Sequence, residues 1–177
     1  MLESEFSETL SYLSTLCQQL GVRWALLGGV ASNLYRDRPR LTQDVDVTIE
    51  IDLARWSELA LRLRADGWTI RPEIEYPDVV LLRASDRLAV DVLVAKTAYQ
   101  RTALDRALDH TIDPDVKIPV LAVEDVIIHK LIAGRHTDID DIERILAAAP
   151  AMDDVYLQRW IQEWGLEERW EDLRRGL

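Results

Sequence analysis

The run Asp44-Val45-Asp46-Val47-Thr48-Ile49-Glu50-Ile51 alternates acidic or polar residues with β-branched apolar ones along its whole length. Successive strand side chains point to opposite faces, so Asp44 and Asp46 share one face while Val45, Val47, Ile49 and Ile51 share the other. The apolar face needs a covering layer, and the acidic face is left for chemistry. A second run, Leu88-Ala89-Val90-Asp91-Val92-Leu93-Val94-Ala95, reads as a strand with Asp91 in its middle. An aspartate buried between Val90 and Val92 costs several kcal/mol unless its charge is met. A divalent cation held by Asp44, Asp46 and Asp91 would meet it, since Mg²⁺ takes one or two carboxylates plus waters and phosphate oxygens. The alternative leaves Asp44 and Asp46 solvated on an edge strand and pairs Asp91 with an arginine.

The spacing elsewhere surrounds these strands with helices. Phe6, Leu10, Leu13, Cys17 and Leu20 predict an amphipathic helix over 4–20 that Gly21 stops. Trp24 to Leu27 reads as a short buried strand, Gly28-Gly29 as a turn, and 30–35 as a helix. A helix over 52–66 follows the acidic strand, with Trp56, Leu59, Ala60 and Leu63 inward. Strands are expected over 68–71, 79–84 and 88–95, the last two forming a hairpin through Ser85-Asp86-Arg87. Helical spacing resumes over 97–108, and 116–121 is expected to be an edge strand because Pro119 cannot donate to a ladder. Helices over 123–133 and 139–148 and one containing Leu157, Trp160, Ile161 and Trp164 complete the chain. Tryptophans at such spacing are expected in the core or on a partner surface. The predicted architecture is α/β (α+β): a short mixed sheet over about 22–121 with flanking helices, and a small helical cap over about 122–177, in one domain spanning 1–177.

Composition excludes several classes. The chain of 177 residues has one cysteine, so no internal disulfide forms, and Cys17 is read as a small core residue. With neither an apolar run long enough to span a membrane nor a secretory leader, the expected location is the cytoplasm, without membrane association. A net charge of −11 argues against general attraction to nucleic acid. Arg36, Arg38 and Arg40 nevertheless precede the acids, and an RNA acceptor would require Arg36, Arg38, Arg55 and Arg62 to line one basic groove beside Asp44. His110, His129 and His136 lack metal-ligand spacing and are read as satisfied or surface histidines; His129, next to Lys130, is the one to test for nucleotide contact. No Gly-x-x-x-x-Gly-Lys-Ser/Thr loop and no Gly-x-Ser-x-Gly elbow is present.

The ordered set Leu27-Gly28-Gly29-Val30-Ala31-Ser32, Arg40-x-Thr42-x-Asp44-x-Asp46, then Asp91, resembles the nucleotidyltransferase fold shared with DNA polymerase β. More narrowly, it is similar to the minimal nucleotidyltransferases related to AbiEii-type toxins of type IV toxin–antitoxin systems. The similarity continues through Val123 to Ile142, with Lys130, Arg135, Asp138 and Asp141, and covers roughly 22–146. The resemblance implies metal-dependent transfer of a nucleoside monophosphate from an NTP to an acceptor hydroxyl, with pyrophosphate released. It implies that Asp44 and Asp46 bind Mg²⁺ or Mn²⁺, that Asp91 completes the site beside the hydroxyl, and that Lys130 neutralises the triphosphate. Gly28, Gly29 and Ser32 would cradle phosphates with Arg40 and Thr42 in support. Asp138 and Asp141, at i and i+3, either fix Arg135 or Lys130 or act directly. The acceptor implied is tRNA or a protein, with a cognate antitoxin as a further partner. A small molecule such as an antibiotic, or a silent regulatory module keeping the fold, is the alternative.

Overall fold

The computed structural model describes residues 2–113 and 116–176, with side chains from 5 to 112 and from 117 to 175. The elements follow in the order α1 (Leu2–Leu20), β1 (Arg23–Leu27), α2 (Gly28–Tyr35), β2 (Asp44–Glu50), α3 (Leu53–Ala65), β3 (Thr69–Arg71), β4 (Val79–Arg83) and β5 (Ala89–Val94). After them come α4 (Ala98–Asp105), β6 (Leu108–Asp113), β7 (Val116–Val120), α5 (Val123–Ala133), α6 (His136–Ala148), α7 (Asp154–Glu163) and α8 (Glu167–Gly176). The strands form one mixed sheet in the order β3-β4-β5-β2-β1-β7-β6.

Register decides which residues share a face. β2 runs antiparallel to β1, with Leu27 opposite Asp46, and parallel to β5, with Asp46 beside Asp91. One face therefore carries Trp24, Leu26, Val47, Ile49, Val80, Leu82, Val90 and Val92, which meet Leu13, Leu16 and Cys17 of α1 and Trp56, Leu59 and Leu63 of α3. Burying this layer stabilises the fold by about 25 cal/mol per Å² of apolar surface. Cys17 belongs to it as expected, and burial pushes its thiol up to about 12. The other face carries Asp44, Asp46, Thr48, Asp91 and Leu93. Helices α2, α4 and α5 gather on this side, and α5 is buried nearly all round through Val126, Ile127, Ile128 and Leu131.

Four expectations are corrected. The helix expected over 97–108 ends at Asp105, and Leu108 to Asp113 form a strand that the sequence reading missed. This strand takes the sheet edge, so β7 is interior rather than an edge. Pro119 is tolerated there because of alternation. The N–H of Leu121 donates to Leu26 O on β1, so position 119 also faces β1, where pairing is confined to Leu26 and Val120. Asp91 is in mid-strand but not buried between its valines, for Val90 and Val92 point to the packed face while Asp91 lies on the open one, paired with Arg83. Arg55 and Arg62 project from α3 on the far side of the sheet, where Arg55 Nη1 donates to Gly21 O and Arg62 Nη2 to Gln19 Oε1. The four-arginine groove beside Asp44 therefore does not form.

Candidate active site

Strand β1 ends where α2 begins, and the chain makes that passage through Gly28 in the left-handed region, φ +67. A Cβ there would lie 1.9 Å from Asp46 Oδ2, so only glycine lets the helix start against the acidic strand. Gly29 N–H donates to Asp46 Oδ2 at 3.4 Å, and a Cβ on Gly29 would meet Thr42 Cγ2 at 2.7 Å. Both glycines thus press the first turn of α2 onto Asp46 and Thr42, with helix N–H groups directed toward the acids. Ser32 is fully buried and donates to Gly28 O at 2.8 Å, so its hydroxyl braces the turn instead of facing outward.

Asp44 and Asp46 lie on one strand face, and Asp91 is the direct neighbour of Asp46 across the parallel pair. Burial, followed by the charge on Asp44, pushes the Asp46 carboxyl up to about 6, against the Gly29 N–H. This donor set suits a hard divalent cation, which would relieve the repulsion that raises Asp46. Among the described residues no three acidic, histidine or cysteine side chains already converge as a cage. Asp91 is engaged with Arg83 Nη1 at 2.8 Å.

Behind the acids lies a buried ionic network. Asp141 is fully buried on α6 and accepts from Arg40 in a bidentate pair, Nε and Nη2 both at 2.8 Å. Arg36, almost wholly buried, also donates to Asp141 and reaches Asp140 at 3.1 Å. Lys130 is buried on α5, and its Nζ donates to Asp141 at 2.5 Å and to Asp138 at 3.2 Å. Asp138 in turn accepts from Arg135 Nε at 2.7 Å. Burial alone would raise both carboxyls, yet hydrogen bonds from Arg40 and Lys130 hold Asp141 below the usual carboxylate range, and those from Arg135 and Lys130 do the same for Asp138. Arg40 is further fixed by a reciprocal pair with Asn33, whose side chain bonds the Arg40 N–H and C=O at 3.0 and 2.7 Å.

The predicted site residues therefore fall into two groups that touch. Gly28, Thr42, Asp44, Asp46 and Asp91 line the open side of the sheet with Gly29 and Ser32 buried behind them, while Arg40, Lys130, Asp138 and Asp141 form the network beneath and Arg135 reaches out at its rim, mostly exposed. Arg36, expected with Arg38 and Arg40 just ahead of the acids and in a basic groove for an RNA acceptor, is instead inside this network. A cavity of about 330 Å³ opens beside Asp46 and Lys130 and continues to Tyr99, Gln100, His129 and Trp164. Sequence spacing placed Trp164 on a helix face, in the core or on a partner surface. Helix α7 ends at Glu163, so Trp164 is its C-cap and turns outward, 42% exposed.

Residues 12–147 match the family described as Nucleotidyl transferase AbiEii toxin, Type IV TA system. The chain belongs to this AbiEii family. The glycine turn, the Asp44/Asp46 strand and the Lys130–Asp141 network of this AbiEii member all lie within the matched span. Among solved structures, an antigenic nucleotidyltransferase-like protein from Paracoccidioides brasiliensis is 20% identical with a TM-score of 0.59, over 97% of this chain and 91% of that one. The lincosamide antibiotic adenylyltransferase LnuA, in its lincomycin-bound structure, is 19% identical with a TM-score of 0.58, over 80% of this chain and 97% of that one. The antibiotic-resistance factor ANT(2'')-Ia is 17% identical with a TM-score of 0.61, over 95% of each chain. These likenesses show the nucleotidyltransferase fold. No curated protein matches the sequence. Among the described residues no helix is long and apolar enough to cross a membrane.

Proposed function

We propose that this AbiEii-family chain transfers a nucleoside monophosphate from an NTP to an acceptor hydroxyl. The observation that carries the reading is the register of Asp46 beside Asp91 on the face against which Gly28 and Gly29 press the first turn of α2. Phosphate oxygens are attracted by the positive N-terminal end of α2 and by Arg135, with Lys130 adding positive charge from beneath. Asp44 and Asp46 would hold Mg²⁺ or Mn²⁺, which supplies charge neutralisation at the phosphates when bound. Asp91, on the sheet's open side, would take the proton of the acceptor hydroxyl once Arg83 yields it. The acceptor oxygen forms a bond to the α-phosphorus, the bond from that phosphorus to the bridging oxygen breaks, and pyrophosphate leaves.

The acceptor is inferred from charge. Arg36 is held by Asp141, and Arg55 and Arg62 lie behind the sheet, so the four-arginine groove that tRNA would use does not form, which favours a protein or a small hydroxylated compound over tRNA. A small-molecule acceptor is the second reading, and the same absence of a basic groove supports it. Family membership suggests an antitoxin partner for the first. Incubation with labelled NTPs and Mg²⁺ or Mn²⁺ is expected to give label transfer and pyrophosphate, both lost in Asp44→Ala/Asp46→Ala. Transfer that survives this double substitution sinks the assignment.

A further inference from the structure

The cavity beside Asp46 has two chemically distinct ends. At one end stand Gly28, Asp46, Lys130 and Arg135; at the other, Tyr99, His129 and Trp164 bring aromatic faces together with Ile132. Trp164 packs edge-on against Tyr99 with ring centroids 5.8 Å apart, and Tyr99 lies 5.6 Å from His129. Trp164 and Ile132 are nonetheless among the exposed large apolar side chains of the molecule. An apolar surface left open at the end of a charged cavity is best covered by a ligand that is anionic at one end and flat and apolar at the other.

Gln100 adds a polar feature to the aromatic end. It is the third helical residue of α4, and its Oε1 accepts from the backbone N–H groups of Lys96 and Thr97 at 2.8 and 2.9 Å, closing a capping box. Two N–H donors fix which side-chain atom is oxygen, so the amide cannot flip. Among the described residues Nε2 donates to no partner, and Gln100 lines the cavity. We propose that this cavity seats the nucleobase of the bound NTP, with Trp164 as its stacking face and the immobilised Gln100 amide nitrogen as a hydrogen-bond donor to the base edge. The inference rests on the NTP reading above and adds the residues that recognise the base. The base is favoured over the acceptor as occupant because the cavity joins the site at Gly28 and Asp46, whereas Asp91 does not line it and faces Arg83 on the open side of β4.

Binding of each NTP and of inorganic tripolyphosphate, all with Mg²⁺, tests this by calorimetry on the full chain. Trp164→Leu is expected to weaken NTP binding roughly tenfold, as removing one base-stacking platform does, and to leave tripolyphosphate unchanged. Trp164→Phe, which keeps an aromatic face, restores most of the loss. Gln100→Glu retains the oxygen that the capping box needs but replaces the free N–H donor by an acceptor, so it reorders preference among ATP, GTP, CTP and UTP. NTP affinity unchanged in Trp164→Leu, or NTP and tripolyphosphate weakened alike, overturns the base pocket while leaving the NTP reading intact. Failure of the unsubstituted protein to bind any NTP overturns both.

Discussion

Two ion pairs near the acids look alike on a distance criterion and differ in consequence. Arg83 and Asp91 meet at 2.8 Å, but both side chains are substantially exposed, at 45% and 28%. Water screens such a pair, and it contributes about 0–1 kcal/mol. Asp141 is fully buried and answers three cations, Arg36, Arg40 and Lys130, of which Arg36 and Lys130 are themselves buried. Removing that carboxylate charge leaves Lys130 with only Asp138 and Arg36 with only the exposed Asp140, a loss of about 3 kcal/mol. Asp141→Asn is therefore expected to lower stability severely and Arg83→Ala hardly at all. Urea unfolding of the two variants side by side checks this; equal losses would show that burial does not rank these pairs. The sequence made Asp141 conspicuous by its i, i+3 partnership with Asp138 and offered Lys130 as one partner, but it held no sign of Arg36 or Arg40. Arg36 and Arg40 come from a loop a hundred residues earlier in the chain, and no local period records such a meeting.

At the level of elements, legibility followed amphipathicity. Strands β2 and β5 and helices α1 and α3 each carry one apolar face, and their spacing foretold them with bounds shifted by a residue or two. β6 did not stand out, because Leu-Asp-His-Thr-Ile-Asp is mostly polar and an edge strand has little to bury. The start of α2 was placed at Val30 because glycine is a poor helix former, yet Gly28 and Gly29 form its first turn where Asp46 leaves no room for a side chain. The C-terminal helices were legible as helices but not in their attachment, which is polar. Asp125 of α5 accepts from Tyr156 Oη of α7 at 2.7 Å, and Arg106 joins Glu124 and Asp125 while stacking on the Tyr156 ring at 3.7 Å. Arg169 of α8 donates to Leu131 O at 2.8 Å, at the end of the helix that carries Lys130. The cap is thus tied to the site's own helix. Tyr156→Phe removes a hydrogen bond to a buried carboxylate and is expected to cost about 1.5–3 kcal/mol. It should also increase amide exchange in α7 more than in β2 or β5. Uniform deprotection across the sheet would mean that α7 is not separately held by this bond.

In the molecule as a whole, two half-buried groups beside the cavity, His129 and Asp46, titrate with pH effects that oppose each other. Burial lowers His129 from 6.5 to about 4, so the folded protein resists its protonation. The stability this contributes is complete above pH 6.5 and is lost as pH falls toward 4. Asp46 is raised from 3.8 to about 6, chiefly by burial and then by Asp44, so its contribution is complete below pH 3.8 and lost as pH rises through 6. Between pH 7 and pH 5, the histidine costs on the order of 2 kcal/mol and the aspartate returns on the order of 1, by linkage and before discounting their partial contact with water. In metal-free buffer the unsubstituted protein should therefore show only a shallow loss of stability over this range. Asp46→Asn removes the offset and steepens the loss, while His129→Gln reverses it, making the protein more stable at pH 5 than at pH 7. Denaturant midpoints of the three proteins at both pH values measure these slopes. Parallel slopes would show that neither group is held away from its ordinary titration. Divalent cation should steepen the unsubstituted protein's loss toward that of Asp46→Asn, because a cation bound at Asp44 and Asp46 keeps Asp46 ionised and removes the gain from its protonation.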